Sequence, residues 1–222
     1  SSDPIRDGTN WYLYCSADPI NYVDQWGLKM IKPISLNMQN SEWGEQITGD
    51  PSLQLTKSQI NNNQRDISFI SENGCYLTGY SEAAITLTGN DYTPSFFNQY
   101  TYLFDSNQNF NSTKASEITG LKNDYWTKNI QGDLTNKLNE LDSSKTQYVV
   151  MAQIPYTSTG KLHWVSVYGS VNEDGFINVI GTSKNDVKGN SLREQSGSWD
   201  FTNGVRIKAS DIQQLRTFRK GD

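Results

Sequence analysis

An apolar run from Tyr148 to Ile154 is the feature that most constrains the fold of this chain. The run has the length of a strand and is followed by Pro155. A strand that is apolar on both faces suits the centre of a sheet, where other elements cover it on both sides. The sequence therefore predicts a layered domain built around this strand.

Helical patterns precede this strand in the chain. One helix is predicted to begin near Cys75, with Asn73 as its cap, and to stop at Gly89-Asn90. A second is predicted from Thr93-Pro94 to Phe104, and a third begins at Asp133 and places Leu134, Leu138 and Leu141 on one side. These helices supply the layer that covers the sheet.

Strand patterns dominate the second half of the chain. Residues 163–171 and 175–181 are predicted to form a hairpin around an Asn-Glu-Asp-Gly turn, and residues 205–209 a further strand. Helices first and antiparallel strands second predict an α+β fold, in which N-terminal helices pack on an antiparallel sheet.

Charge and hydropathy exclude several classes of protein. The 222 residues carry a formal net charge of -5, without the basic surface of a nucleic-acid binder, so no nucleic-acid partner is expected. No apolar stretch approaches the roughly 18 residues of a membrane span. Residues 1–28 lack the pattern of a secretory signal, so any export is expected to be directed from elsewhere.

A cysteine at a helix start and a histidine at a strand start suggest a thiolate–imidazole pair. Cys75 opens the first predicted helix, where a helix N-terminus lowers a thiol pKa, and His163 is the only histidine available as its base. Taken separately, such residues are more often structural. A disulfide to Cys15 would block the nucleophile, so a working Cys75 predicts reduced thiols. We expect no metal or cofactor, because one histidine and two separated cysteines do not suit a zinc site.

Four segments in this order resemble the papain-like cysteine peptidases of the bacteriocin leader-processing type. They are Asn73–Thr78, Thr93–Asn98, Leu162–Gly169 and Asp174–Ile177, and the resemblance covers roughly residues 64–186. It implies a papain-like cysteine peptidase fold for residues 64–222. It also implies a hydrolase in which the Cys75 thiolate attacks a carbonyl and His163 holds and later returns the proton.

The residue that orients the imidazole is expected on the partner strand of the hairpin. Mirror pairing across the turn places the position opposite His163 near residue ~184, which disfavours Asn178 as a mid-strand residue. Asn185 and Asp186 are then the candidates. A simple turn formed by Asn and Asp is the alternative.

The resemblance also implies an oxyanion-hole glutamine upstream of the cysteine, and Gln64 is the nearest one. The alternative is that Gln64 is a loop residue and that the backbone N–H of Cys75 stabilises the oxyanion. Tyr76, Tyr80, Trp164 and Trp199 are predicted either to wall a substrate groove or to lie in the core.

Residues 1–28 differ from the rest by alternating turn pairs with short aromatic strands. The pattern Asn10-x-Tyr12-x-Tyr14 followed by Asp24-Gln25-Trp26-Gly27-Leu28 is similar to the end of an Rhs or YD-repeat core, although Asp-Pro is usual where this chain has Asp24-Gln25. The resemblance implies a β-strand shell that cleaves itself after Leu28, using Asp3 and Asp24 as carboxylates that share a proton. Alternatively these aspartates cap turns. Residues 29–63 are interpreted as a linker or an N-terminal arm.

Together these resemblances predict the C-terminal toxin of an Rhs-type polymorphic toxin, a secreted effector delivered into a recipient cell. The expected partners are a protein or peptide substrate, a cognate immunity protein and the remainder of the Rhs-type shell. The same thiol chemistry would also serve deamidation, transglutamination or amide hydrolysis in peptidoglycan. An inactive papain-like binding module is the non-enzyme alternative, favoured if the imidazole faces away from the sulfur.

Overall fold

The structure is a computed structural model that describes residues 30–52, 68–156, 161–182, 199–200 and 205–221. The resemblance to a repeat core, with Asp3, Asp24 and Leu28, therefore lies outside the described residues. Among the residues described, no helix has the length and apolar character needed to cross a membrane.

Helices come first in the chain and strands dominate its second half. The helices are α1 (Ile70–Asn73), α2 (Cys75–Thr88), α3 (Pro94–Asn98), α4 (Ser112–Thr119), α5 (Lys128–Gln131) and α6 (Thr135–Asp142). The strands are β1 (Leu121–Thr127), β2 (Val149–Tyr156), β3 (Lys161–Tyr168), β4 (Phe176–Gly181), β5 (Trp199–Asp200), β6 (Arg206–Lys208) and β7 (Gln214–Lys220). This mixture of helices and antiparallel sheet confirms the predicted α+β class.

The strands form one seven-stranded sheet in the order β1-β7-β2-β3-β4-β6-β5, and every pairing is antiparallel. The apolar run became β2, which lies inside the sheet between β7 and β3. Val149, Met151 and Phe218 pack on the side of α2, while Val150 and Leu215 pack on the opposite side. The prediction of an interior strand is confirmed, because both faces of β2 are covered.

Helix α2 is buried on almost all sides. Its residues from Leu77 to Ala84 are all buried. The ring of Tyr80 lies 5.2–5.3 Å from the rings of Phe97, Phe110 and Phe218, so the helix is fixed by aromatic contacts from three elements. The predicted stop at Gly89 is confirmed, since this residue has φ 76° and its N–H donates to the carbonyl of Ile85.

The start of α2 differs from the prediction. Asn73 does not cap it: Asn73 is the last residue of α1, and the N-cap position is Gly74, with no side-chain cap. A Cβ atom on Gly74 would lie 2.4 Å from the carbonyl oxygen of Ile70 and 2.6 Å from its Cγ2. Only glycine therefore fits directly before Cys75, because the chain passes so close to the preceding turn.

The second predicted helix was too long. It ends at Asn98 and is followed by a 3-10 turn, Thr101–Leu103, and then by the loop from Asp105 to Asn109. The side chain of Asp105 binds backbone N–H groups of this loop, as aspartate in turns often does. The prediction followed the aromatic residues to Phe104, but the backbone leaves the helical conformation at Tyr100, which has φ -100° and ψ 82°.

Residues 30–52 form an arm that packs against α2. The N–H groups of Ile34 and Leu36 donate to Thr86 Oγ1 and Glu82 Oε1, at 2.9 and 3.0 Å. Beyond these contacts Trp43 is only 3% exposed. The arm therefore supplies the cover that makes the helix buried all round.

A buried carboxylate joins the arm, α2 and β3. The side chain of Glu82 has no exposed surface; its Oε2 accepts from Ser166 Oγ at 2.7 Å, and its Oε1 accepts from Leu36 N–H at 3.0 Å. Burying a carboxylate is costly unless such donors compensate it. These hydrogen bonds thus fix the position of β3 relative to α2.

Ser166→Ala tests this junction. Because the substitution removes a donor from a buried carboxylate, we expect the free energy of unfolding to fall by about 1–3 kcal/mol. Urea denaturation followed by circular dichroism measures the change. Ser170→Ala, at an exposed serine just beyond β3, is the control and should change little. Equal stabilities for the two variants would contradict the role given to Glu82.

Gly74→Ala tests the close approach before Cys75. The added methyl group meets backbone atoms of Ile70, so we expect a loss of about 1–3 kcal/mol in the free energy of unfolding. Asn73→Ala is the matched control, and we expect it to stay within about 0.5 kcal/mol because Asn73 is exposed and makes no cap. A larger loss for Asn73→Ala than for Gly74→Ala would restore the original capping prediction.

Candidate active site

A cavity of about 670 Å³ opens at the N-terminus of α2. Four parts of the chain surround it: the arm, the junction of α1 and α2, the loop before Phe110 and the start of β3. Its lining residues include Gln39, Thr48, Cys75, Tyr76, Gln108, Phe110, His163 and Trp164. Both halves of the proposed thiolate–imidazole pair thus face one cavity.

Within this cavity the imidazole of His163 hydrogen-bonds the sulfur of Cys75. Cys75 is a free, half-buried thiol, and His163 is 8% exposed. Burial raises the pKa of the Cys75 thiol, but the hydrogen bond and charge of His163, together with the backbone N–H groups of Trp164 and Tyr76, outweigh it. The pKa of Cys75 therefore lies below its ordinary value, which favours the thiolate.

The backbone N–H of Trp164 faces the side of β3 on which β4 lies. In an antiparallel strand the N–H and C=O of one residue point to the same side. Since the carbonyl of Trp164 accepts from Thr182 Oγ1 at 3.0 Å, its N–H lies on that side too and donates to Cys75. The start of β3 thus supplies a backbone donor to the sulfur.

The register of β3 shows where His163 lies in the sheet. Side chains alternate along β3, and Trp164 and Ser166 contact residues of α2. His163 therefore shares the opposite face with Val165, opposite Ile154 on β2. It precedes Val165, the first residue of β3 in the described pairing with β4, by two positions, and there its ring meets the sulfur at the N-terminus of α2.

Aromatic rings connect the reactive pair to the far wall of the cavity. The ring of Tyr76 lies 4.8 Å from that of Trp164 and 6.2 Å from that of Phe110. Its hydroxyl donates to Ser112 Oγ at 2.7 Å, which fixes the ring. Of the aromatic residues predicted either for a groove or for the core, Tyr76 and Trp164 line the cavity, whereas Tyr80 is fully buried in the core.

The structure brings Cys75 and His163 together, whereas the other predicted site residues are not among the described ones. Gln64, Asn185 and Asp186 lie outside the described residues. The prediction that Asn178 lies mid-strand, away from His163, is confirmed because Asn178 pairs with Tyr168. Among the described residues, no group of three or more His, Cys, Asp or Glu side chains could hold a metal ion.

Two glutamines of the cavity were missed by the sequence reasoning. Gln39 belongs to the arm, and its Nε2 donates to the carbonyl of Ser71 at 2.9 Å. Gln108 belongs to the loop after Phe104, and its Oε1 accepts from Ser68 N–H at 3.0 Å. The run Asp105-Ser106-Asn107-Gln108-Asn109 carries a turn signal that marks the loop, but nothing in the sequence places it beside Cys75.

No protein-family model matches this chain, and a search of the curated proteins found no similar sequence. The geometry around Cys75 and His163 therefore carries the functional argument.

The pH dependence of Cys75 alkylation tests the pairing. A Cys15→Ser background leaves Cys75 as the single thiol. We expect iodoacetamide labelling to titrate with a midpoint below the ordinary thiol pKa of about 8.5, and His163→Ala to move this midpoint to higher pH, because it removes a donor and a positive charge. Mass spectrometry at a series of pH values measures the labelled fraction. Identical midpoints with and without His163 would show that the imidazole does not stabilise the thiolate.

Proposed function

We propose that this chain is a cysteine peptidase in which Cys75 is the nucleophile and His163 is the general base and acid. The observation that carries the proposal is the hydrogen bond between the imidazole and a thiol of lowered pKa inside an open cavity. Perturbed thiols that face a cleft are typical of nucleophilic sites. An inactive binding module would be favoured if the imidazole faced away from the sulfur, and this contact argues against that alternative.

The reaction follows from the residues present. The Cys75 thiolate attacks the carbonyl carbon of an amide, and the protonated imidazole of His163 gives its proton to the departing amine, which leaves a thioester. Water then loses a proton to the imidazole and attacks the thioester; the carbon–sulfur bond breaks, the acid is released, and the Cys75 thiolate and protonated His163 are restored. Backbone N–H groups at the start of α2 are suitably placed to stabilise the oxyanion.

A papain-like arrangement is part of the same proposal. A nearly fully buried helix carries the cysteine at its N-terminus, an antiparallel sheet carries the histidine, and the cavity lies between them. These features support the fold that the sequence motifs suggested. In this proposal Gln64 is the oxyanion-hole glutamine, and Asn185 or Asp186 orients the imidazole.

The biological setting rests on the sequence of residues 1–28. Their similarity to the end of an Rhs core supports a toxin domain that is released after Leu28 and delivered into a recipient cell. In this proposal an immunity protein protects the producer, and blocking the cavity at Cys75 is the direct way to do so. The arm begins shortly after the proposed cut and packs against α2, so release would leave the covered helix intact.

Mass spectrometry of a bacterial lysate tests the proposed activity. We expect the wild-type chain to create new peptide N-termini that are absent with Cys75→Ala and reduced at least about 100-fold with His163→Ala. Cys15→Ser is the matched control for loss of a thiol and should keep full activity. Mass shifts of about 1 Da without new termini would replace the peptidase by a deamidase. Unchanged cleavage by Cys75→Ala would overturn thiol catalysis.

A further inference from the structure

The loop from Asp105 to Asn109 is strained at one position in the cavity wall. Gln108 has φ 61°, and it is the one non-glycine with positive φ within the described residues. Such a conformation costs of order 1–3 kcal/mol and persists only where surrounding contacts enforce it. The loop is therefore held in a shape that its own backbone does not prefer.

Asp105 enforces this shape. Its Oδ1 accepts from the N–H groups of Asn107 and Asn109 at 2.8 and 2.9 Å, and its Oδ2 accepts from Asn109 Nδ2 at 3.0 Å. These hydrogen bonds, with that of the Asn109 side chain first, lower the pKa of the Asp105 carboxyl below its ordinary value. The carboxylate stays charged at neutral pH, so it keeps its hydrogen bonds to the loop.

The side chain of Gln108 is fixed at one end and open at the other. Its Oε1 accepts from Ser68 N–H at 3.0 Å, and only an oxygen can take that position. Its Nε2 makes no hydrogen bond to any described residue, although the side chain is half-buried in the cavity lining. An amide whose oxygen is anchored presents two N–H donors at a defined place.

Most polar side chains of this cavity are uncharged. Thr48, Ser68, Asn107 and Asn109 line it together with Gln108, and Glu72 is the one acidic residue among its described lining residues. The Oγ1 of Thr48 is buried and finds no hydrogen-bond partner among the described residues. A neutral acceptor such as a peptide carbonyl suits this setting, because a charged group would lose its hydration without a countercharge.

The ring contacts indicate how far the loop lies from the reactive pair. Trp164 follows His163 in β3, and its ring lies 4.8 Å from Tyr76, whose ring lies 6.2 Å from that of Phe110, just beyond the loop. An extended peptide rises about 3.4 Å per residue. The path along these rings therefore corresponds to about three residues of substrate.

We propose that Gln108 is a specificity-determining residue whose Nε2 donates a hydrogen bond to a backbone carbonyl of an extended peptide substrate, within three residues of the scissile amide. The inference rests on the proposed peptidase function and names a substrate feature that the site recognises, a backbone carbonyl. Gln108 acts on substrate binding, and the thiolate forms without it.

Three variants separate this role from a structural one. Gln108→Glu keeps an oxygen for Ser68 N–H and removes the donors. Ser106→Asp adds the same charge to an exposed position of the loop outside the cavity lining and keeps Gln108. Gln108→Met removes the donors, together with the acceptor for Ser68 N–H, without adding charge. The melting temperature of each variant is measured first, so that a folding defect is recognised.

The assay uses the full chain and peptides from a trypsin-digested bacterial lysate. We expect Gln108→Glu and Gln108→Met to lower kcat/KM on the most rapidly cleaved peptide by about 10-fold, and Ser106→Asp by less than about twofold. The rate of iodoacetamide labelling of Cys75 should be the same in wild type and Gln108→Met. The peptide is also shortened so that one residue remains on the side of the scissile bond that contacts Gln108. On this peptide wild type and Gln108→Met should have the same kcat/KM.

Two results would overturn the inference while leaving the peptidase proposal intact. One is equal kcat/KM for wild type and Gln108→Met on the long peptide. The other is a loss that persists on peptides shortened from either end, which would assign the effect to the reactive pair. Failure of the peptidase proposal is distinct: wild type would then match Cys75→Ala, and the inference would fall with it.

Discussion

The burial of α2 on almost all sides is the constraint on which the rest of the structure depends. A helix in this position needs cover from the sheet, from other helices and from the arm, and it receives contacts from all three. Tyr80 meets three aromatic rings, and Glu82 takes hydrogen bonds from the arm and from β3. Because these contacts fix the helix along its length, they also fix the position of its first residue, Cys75.

Two opposing effects meet at that residue. Burial alone would keep the thiol neutral, whereas the imidazole and two backbone N–H groups favour the thiolate. The second effect prevails because the start of β3 brings the His163 ring and the backbone N–H of Trp164 to the sulfur, and the N–H of Tyr76 joins them from α2. The start of β3 therefore belongs to the site through its backbone as well as through its side chains.

The elements with strong local signals were the ones that sequence could predict. The apolar run of β2, the helix between Cys75 and Gly89, and the spaced leucines of α6 carry their pattern within a few residues. Strand β1 and helix α4 were not predicted, because β1 lies at the sheet edge with a single buried residue and α4 is a short polar helix. Their structure comes from contacts with β7 and with each other, which a local pattern does not contain.

The sequence by itself determined which chemistry was available: a single imidazole, a cysteine preceded by glycine at a helix start, and an apolar strand to build around. Only the tertiary structure decided that these groups meet. Strand alternation alone places His163 on the face away from α2, whereas in the fold its ring meets the sulfur at the start of that helix. The tertiary structure likewise placed Gln108 in the cavity wall, since a loop is positioned by the packing of the elements it joins. Local sequence specifies the conformation of the elements that carry a strong pattern, whereas the distance between two elements depends on contacts between residues far apart in the chain.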